Sequence, residues 1–286
     1  MNKIKRAAYA KINLALDVIR KREDGYHEVK MIMQTVDICD ELTFTKTEGN
    51  QITLTVDNST IPDNQDNLIY QAAKLLLEET NTTQGVHIFL QKTIPVAAGM
   101  AGGSSDAAAT LQGLNELFQL GKTEEELRQL GVQIGADVPY CIMGGTALSE
   151  GIGEILTPLA TPPNPYVLIA KPDLFVSTQY VYSNLQVDEL PYHPNVERMI
   201  ASIEQGELYS MCEDMQNVLE TVTIPVHPII EQIKCVMKDH GAIASLMSGS
   251  GPTVFGIYKS ESLCHEAYEA IRASGMAKEI FQTRFL

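Results

Sequence analysis

The stretch Ile94-Pro95-Val96-Ala97-Ala98-Gly99-Met100-Ala101-Gly102-Gly103-Ser104-Ser105-Asp106-Ala107-Ala108-Ala109 decides how this chain is read. It opens as a strand end. Ile88, Phe89, Leu90 and Ile94 supply apolar mass, and Pro95 stops the ladder because it has no N–H to donate. Glycine and small side chains follow, interrupted only by Met100. Ser104, Ser105 and Asp106 are good helix N-caps. Behind them Leu111, Leu114, Leu117 and Phe118 recur at helical spacing, which predicts a helix. Strand, glycine-rich loop and helix start together make a cradle for phosphate. The first helical N–H groups lack partners, and the helix dipole puts about half a positive charge there. Gly99, Gly102 and Gly103 let the backbone approach closely and tolerate positive φ. The same stretch could also be a tight turn feeding a core helix. Two other phosphate loops are excluded by counting. Gly121-Lys122-Thr123 spells the end of a P-loop, but Glu116 stands where its first glycine belongs. Gly151-x-Gly153 starts a dinucleotide fingerprint, but Leu156 takes the third glycine's place.

Around this stretch lies a chain of 286 residues, 44% hydrophobic and 20% charged, with a net charge of −15. That length is enough for one large domain or two ordinary ones. The acidic balance argues against a nucleic-acid partner, which needs a basic face to displace counterions. It leaves room for a small anionic substrate held by a few placed cations. Cys39, Cys141, Cys212, Cys235 and Cys264 are scattered, with no Cys-x-x-Cys pair, so neither a zinc site nor a disulfide framework is indicated. No apolar run follows the basic start Lys3-Ile4-Lys5-Arg6, and no apolar stretch approaches roughly 18 residues. The expectation is a cytoplasmic protein with no membrane partner.

Toward the N-terminus, Ile12, Leu14, Leu16 and Val18 alternate with Lys11, Asn13, Ala15 and Asp17, the pattern of a half-buried strand. Lys11 and Asn13 therefore share a face. Arg22-Glu23-Asp24-Gly25 is a turn, and Tyr26-His27-Glu28-Val29 opens the next strand, which runs to Val36. Leu42–Thr45 and Ile52–Val56 read as two more strands, Asp66-Asn67 as the cap of a helix, and Val86–Leu90 as the strand entering the loop. Thr123-x-x-Glu126 is a capping box. Gly135-Ala136-Asp137-Val138-Pro139 follows, where Asp137 could simply cap a short helix. Thr161-Pro162-Pro163-Asn164-Pro165 is the best linker. Beyond it, strands at Val167–Ala170, Ile243–Met247 and Val254–Tyr258 alternate with helices near Val196–Glu204, Pro228–His240 and Leu263–Ile271. Ser248-Gly249-Ser250-Gly251-Pro252-Thr253 is a second glycine loop.

Four polar clusters thus stand in apolar surroundings: Lys11/Asn13, Tyr26/His27, the loop from Gly99 to Asp106, and Asp137. Together they resemble the GHMP kinases, the family of galactokinase and of the homoserine, mevalonate and phosphomevalonate kinases. Pro95-x-x-x-Gly99-x-x-Gly102-Gly103-Ser104-Ser105-Asp106-Ala107-Ala108 is similar to the family's ATP loop. Lys11-Ile12-Asn13-Leu14 is similar to its N-terminal strand, and Ser248-Gly249-Ser250-Gly251-Pro252-Thr253-Val254-Phe255 to its C-terminal glycine motif. Asp24-Gly25-Tyr26-His27 and Gly135-Ala136-Asp137-Val138-Pro139 bring it nearer to a branch that phosphorylates a cytidine diphosphate conjugate of a sugar alcohol. The likeness covers nearly the whole chain. Ala98 and Ala101 depart from it, standing where many relatives have glycine; alanine keeps such a loop if φ there is negative.

The resemblance implies an α+β fold of two domains with the active site between them. Residues 1–160 would be an ATP-binding and catalytic domain similar to ribosomal protein S5 domain 2. Residues 161–286 would be a ferredoxin-like, substrate-binding domain. It implies ATP and Mg²⁺ as cofactors, with phosphate transferred to the 2-hydroxyl of the acceptor in isoprenoid precursor synthesis by the non-mevalonate route. Pro95, Val96, Ala97, Ala98, Gly99, Met100, Ala101, Gly102, Gly103, Ser104 and Ser105 would cradle the phosphates, with Asn67 and Leu68 near the adenine. Ser104 or Ser105 could help ligate magnesium. Asp137 would accept the hydroxyl proton, and Lys11 would keep Asp137 ionised and offset charge on the transferring group. Asn13 would bond the polyol, while Tyr26, His27 and Tyr182 would hold the cytidine. Another acceptor, homoserine or mevalonate, is the alternative; Tyr26-His27 and Gly135-Ala136-Asp137 count against it. A nucleotide sensor without catalysis would need neither Lys11 nor Asp137.

Overall fold

The structure, a computed structural model, describes residues 2–58 and 60–286. Helix and strand segregate by residue pattern, and the described chain gathers into two compact units that interleave in sequence. The first holds the N-terminal segment to Ala10, Ile38–Val96 and Ala101–Gly144; the second holds Lys11–Asp37, Ala97–Met100 and Gly145–Leu286. The proline-rich segment 161–165 lies inside the second unit.

Two long strands, β1 (Lys3–Lys21) and β2 (His27–Thr47), contribute to both units. They form a hairpin whose turn is closed by Arg22 N–H donating to the Tyr26 carbonyl at 2.8 Å, with Gly25 at φ +89°. Leu42–Thr45 belongs to β2 and is not a separate strand. The polar run Asp37–Glu41 does not break the ladder, because the Asp40 side chain is taken up by other bonds, described below.

In the first unit, the far part of β2 pairs antiparallel with β4 (Gly85–Gln91), which pairs in parallel with β3 (Ile52–Val56). Helices α1 (Leu68–Glu79), α2 (Gly102–Phe118), α3 (Glu124–Val132) and α4 (Val138–Met143) complete it. Asn67 caps α1 by accepting from Ile69 N–H at 2.9 Å, and Thr123 and Glu126 form the predicted capping box on α3. Leu42, Phe44, Ile88, Leu76, Leu111 and Leu114 meet in one core. The apolar periodicity of α2 is what places its inner face there.

In the second unit, Met31–Gln34 of β2 pairs with β5 (Thr146–Glu150), and β5 with β6 (Ile155–Pro158). A separate four-stranded antiparallel sheet has the order β10-β7-β9-β8, made of β7 (Tyr166–Lys171), β8 (Ala244–Met247), β9 (Val254–Tyr258) and β10 (Glu279–Arg284). Helices α5 (Thr178–Asn184), α6 (Val196–Gln205), α7 (Leu208–Glu213), α8 (Glu220–Val226) and α9 (Ile229–Asp239) lie between β7 and β8. Helix α10 (Glu261–Ser274) lies between β9 and β10. This is the expected ferredoxin-like order, strand–helices–strand–strand–helix–strand. Helices α5, α7 and α8 and strand β6 escaped the pattern reading because each is seven residues or shorter.

Candidate active site

The loop after Pro95 enters α2 earlier than the serines suggest. The helix begins at Gly102, and Ala101 occupies the cap position with φ +56°, with no side chain capping it. Ser104 and Ser105 are therefore first-turn residues and Asp106 opens the second turn; none of the three is the cap. The amides of Gly102, Gly103 and Ser104 have no carbonyl partner within the helix, so they present donors together with the positive end of the dipole, while Ser105 N–H already donates to the Ala101 carbonyl at 2.8 Å. Ala101 adopts the left-handed conformation, as does Ala97 at φ +52°. The condition that alanine here needs negative φ fails at Ala101. Each such alanine costs on the order of 1 kcal/mol, a strain that the packing around the loop must hold.

Ser105 is buried, and its hydroxyl donates to the Tyr9 carbonyl at 2.6 Å. Ser104 is the half-buried serine of the pair. A Cβ added at Gly135 would stand 3.9 Å from Ser104 Oγ, so the turn that carries Asp137 lies beside the start of α2. Asp137 holds the cap position of α4, yet its carboxylate takes none of that helix's amides. Capping is thus not its use. A Cβ at Gly103 would touch Leu68 Cδ1 at 3.5 Å, which brings the start of α1 to the loop as well. Asn67 Nδ2 donates to the Pro62 carbonyl at 2.7 Å, bracing a cleft of about 430 Å³ lined by Val56, Asn58, Ile61, Pro62 and Asp63.

A Cβ on Gly102 would lie 3.0 Å from Lys92 Nζ and 3.1 Å from Ile94 Cγ2, so a side chain there would press on both. Lys92 itself is buried and shared by two carboxylates, Asp40 at 2.5 Å and Asp106 at 2.8 Å. Burial works against its ammonium, but the two carboxylates more than offset that, so its pKa is raised. Burial pushes the Asp106 carboxyl up to about 8, with Lys92 opposing and Asp40 adding to the rise.

The second unit assembles the remaining residues. Lys11 and Asn13 are both buried on β1, and Lys11 Nζ donates to Asn13 Oδ1 at 2.8 Å. Asn13 Nδ2 donates to Met31 Sδ at 3.4 Å, and Lys11 N–H to the Met100 carbonyl at 3.1 Å. The two glycine loops meet here: Ser248 Oγ donates to the Gly99 carbonyl at 2.9 Å. A Cβ on Gly99 would lie 2.2 Å from the Ser248 carbonyl oxygen, so only glycine fits. A Cβ on Gly249 would lie 3.6 Å from Asn13 Oδ1. The C-terminal glycine motif is therefore packed against the strand of Lys11 and Asn13, not left as a free hairpin.

Asn217, unmarked in the sequence reading, holds this junction. It is fully buried; its Nδ2 donates to the carbonyls of Met247 at 2.8 Å and Gly249 at 2.7 Å. Beside it, Leu16 N–H donates to the Gln216 carbonyl at 2.9 Å and Val218 N–H to the Leu16 carbonyl at 3.0 Å. No local pattern betrays such a residue, because its partners lie far off in sequence.

His27 and Tyr182 come together, with ring centroids 5.2 Å apart and planes tilted by 40°. Burial, then the charge of Lys21, lowers the His27 pKa, which keeps its imidazole neutral at pH 7. Tyr26 is 60% exposed, its N–H accepted by Asp24 Oδ1 at 3.0 Å. Among the described residues, no group of three or more His, Cys, Asp or Glu is placed to hold a metal ion.

Comparison with known proteins agrees with this geometry. The model of the GHMP kinases N terminal domain matches residues 67–145, and that of the GHMP kinases C terminal matches 199–276. A 4-diphosphocytidyl-2-C-methyl-D-erythritol kinase from Lachnoclostridium phytofermentans is 52% identical over 285 residues, covering 100% of this chain and 98% of the relative. The crystal structure of a 4-(cytidine 5'-diphospho)-2C-methyl-D-erythritol kinase superposes with a TM-score of 0.84 at 33% identity, covering 99% of each chain. A homoserine kinase from Cytophaga hutchinsonii, at 21% identity and a TM-score of 0.79 over 99% of this chain and 94% of its own, shares the fold. The chain is therefore a member of the GHMP kinases, ATP-dependent small-molecule kinases, in their 4-diphosphocytidyl-2-C-methyl-D-erythritol kinase branch.

Proposed function

We propose that this chain transfers the γ-phosphoryl group of ATP to the 2-hydroxyl of 4-diphosphocytidyl-2-C-methyl-D-erythritol, a step of isoprenoid precursor synthesis carried out in the cytoplasm. The observation that carries this reading is the start of α2, with no side-chain cap, beside the turn of Asp137. Residues 1–160 would supply ATP binding and catalysis, and residues 161–286 acceptor binding. The loop from Pro95 to Ser105 would hold the phosphates, with Asn67 and Leu68 toward the adenine. Magnesium brought with the nucleotide would neutralise phosphate charge, and Ser104 is the chain's better-placed ligand for it. Ser105 already commits its hydroxyl to Tyr9.

Asp137 would accept the proton of the acceptor hydroxyl. Lys11, oriented by Asn13, would offset charge on the transferring group. Asn13 would bond the polyol. The neutral His27 has both a donor and an acceptor nitrogen for the edge of cytosine, and Tyr182, already paired with it, offers a ring face. Tyr26 stands exposed next to them. The net charge of −15 speaks against nucleic acid as a partner. No helix among the described residues is long and apolar enough to cross a membrane.

Coupled detection of ADP release with this acceptor, homoserine and mevalonate tests the reading. Only the first should turn over. Asp137→Asn should lower kcat by about 10²- to 10⁴-fold while leaving nucleotide affinity near wild type. Retention of more than roughly a tenth of turnover would remove Asp137 from the base role.

A further inference from the structure

Met31 holds a place that none of the roles above uses. It lies in the part of β2 that pairs with β5, opposite Ser149, and its side chain is buried. The ladder fixes the backbone from which that side chain springs. Its thioether meets Asn13 of β1, the strand on which β2 also pairs.

The carboxamide of Asn13 is a two-ended group, and each end has its own neighbour. Oδ1 accepts from Lys11 Nζ at 2.8 Å, and Nδ2 donates to Met31 Sδ at 3.4 Å. Turned over, the same carboxamide would set its oxygen against a sulfur that only accepts. Its N–H₂ would then face an ammonium that only donates. The two neighbours therefore select one orientation, but they hold it unequally. Lys11 carries a charge that the transferring phosphoryl group attracts, so its hold on Oδ1 weakens when the nucleotide is present. Met31 has no second task. With Lys11 drawn away, the sulfur is the contact that still fixes the carboxamide. A thioether suits this work because it accepts weakly. It engages one N–H of Nδ2 and leaves the other for a hydroxyl oxygen.

We propose that Met31 is a positioning residue for the acceptor: its sulfur orients Asn13 so that the carboxamide keeps an N–H turned toward the polyol while Lys11 serves the phosphoryl group. The inference rests on reading Asn13 as the polyol's partner.

The test is steady-state ADP release by the full chain with ATP and 4-diphosphocytidyl-2-C-methyl-D-erythritol. Met31→Leu keeps the apolar volume and removes the sulfur, a swap that cores tolerate. Its KM for the acceptor should rise about three- to tenfold, the worth of one hydrogen bond. Its kcat should stay within about twofold of wild type, and its KM for ATP should not move. A packing role alone would lower Tm and leave both KM values where they were. In the Asn13→Ala background Met31→Leu should add nothing to the acceptor KM, since the sulfur then has no amide to orient. In wild type, nuclear Overhauser contacts should join the Asn13 side-chain amide protons to the Met31 methyl group more strongly than to the Cε protons of Lys11. An acceptor KM unchanged in Met31→Leu, additive effects in the double variant, or amide protons that favour Lys11 overturns the inference. If Met31→Leu folds poorly, the wild-type contacts decide alone. Asn13→Ala with an unchanged acceptor KM removes Asn13 from the polyol and takes the inference with it. An acceptor that wild type does not turn over counts against the proposed reaction instead, and the amide contacts then still decide the orientation.

Discussion

Asn217 shows how much one side chain can fix. Its amide donates to the carbonyls of Met247 and Gly249, and its oxygen takes the Leu219 N–H at 2.9 Å, with no exposure to water. Removing it leaves all three backbone groups unpaired, and each unpaired buried group costs about 1–3 kcal/mol. Asn217→Ala should therefore lose at least about 3 kcal/mol in urea unfolding. Asn217→Asp should do no better, since a carboxylate has no N–H to offer two carbonyls. An aspartate variant as stable as wild type would show that the bonds run otherwise. Residues of this kind are illegible in sequence. Gly99 stood out because it sits in a glycine-rich loop, although what requires glycine there is the Ser248 carbonyl; Asn217, Asp40 and Lys92 are defined wholly by partners that folding alone brings near. Lys11, Asn13, His27 and Tyr182 lie between these cases: strand alternation and the family likeness placed them, and the structure pairs Lys11 with Asn13 and His27 with Tyr182.

At the scale of the element, α2 sets helix propensity against packing. Gly113 sits in its interior, where alanine would gain about 1 kcal/mol by propensity. Yet a Cβ there would lie 2.6 Å from Cε2 of Phe44, a ring that is fully buried. Overpacking of this sort costs about 1–3 kcal/mol, and a ring locked in a core has little room to yield. Gly113→Ala should thus be net destabilising by up to about 2 kcal/mol in thermal unfolding. A stabilised variant would mean that Phe44 repacks freely. The existence of α2 was readable from its leucine spacing, but its start was not. Ser104 and Ser105 have the chemistry of caps, while the backbone turns into the helix at Ala101 through a conformation that no residue type announced. β2 read as two strands, one to Val36 and one over Leu42–Thr45, for the same reason: the bonds that satisfy Asp40 between them come from Lys92, Thr93 and Ile94.

For the molecule as a whole, the net charge of −15 is a self-repulsion that the fold carries at neutral pH. Salt screens it, the Debye length falling to about 10 Å at 0.1 M. Raising sodium chloride from about 0.02 to about 0.2 M should lift Tm by roughly 2–4 °C, the equivalent of about 1 kcal/mol. A Tm that falls with salt would mean that attractive pairs such as Arg198 with Asp214 and Lys234 with Glu220 outweigh the repulsion. The two-part α+β architecture was visible in the sequence because the second half alternates strands and helices, although the proline-rich segment read as a linker lies inside the second unit. How the units draw on the chain was not, since Lys11–Asp37 and Ala97–Met100 join residues far downstream by pairing that no local signal encodes.

The bond from Ser248 to Gly99 spans 149 residues. A chain leaving the ribosome at about 5–20 residues per second holds its glycine loop unanchored for roughly 7–30 s before Ser248 is even made. Strand β1 waits longer still, roughly 10–40 s at the same rate, for Gln216 and Val218, its partners at Leu16. Competence for phosphoryl transfer thus arrives late in synthesis, with the last seventy or so residues, and a product truncated before them is silent rather than a half-active kinase.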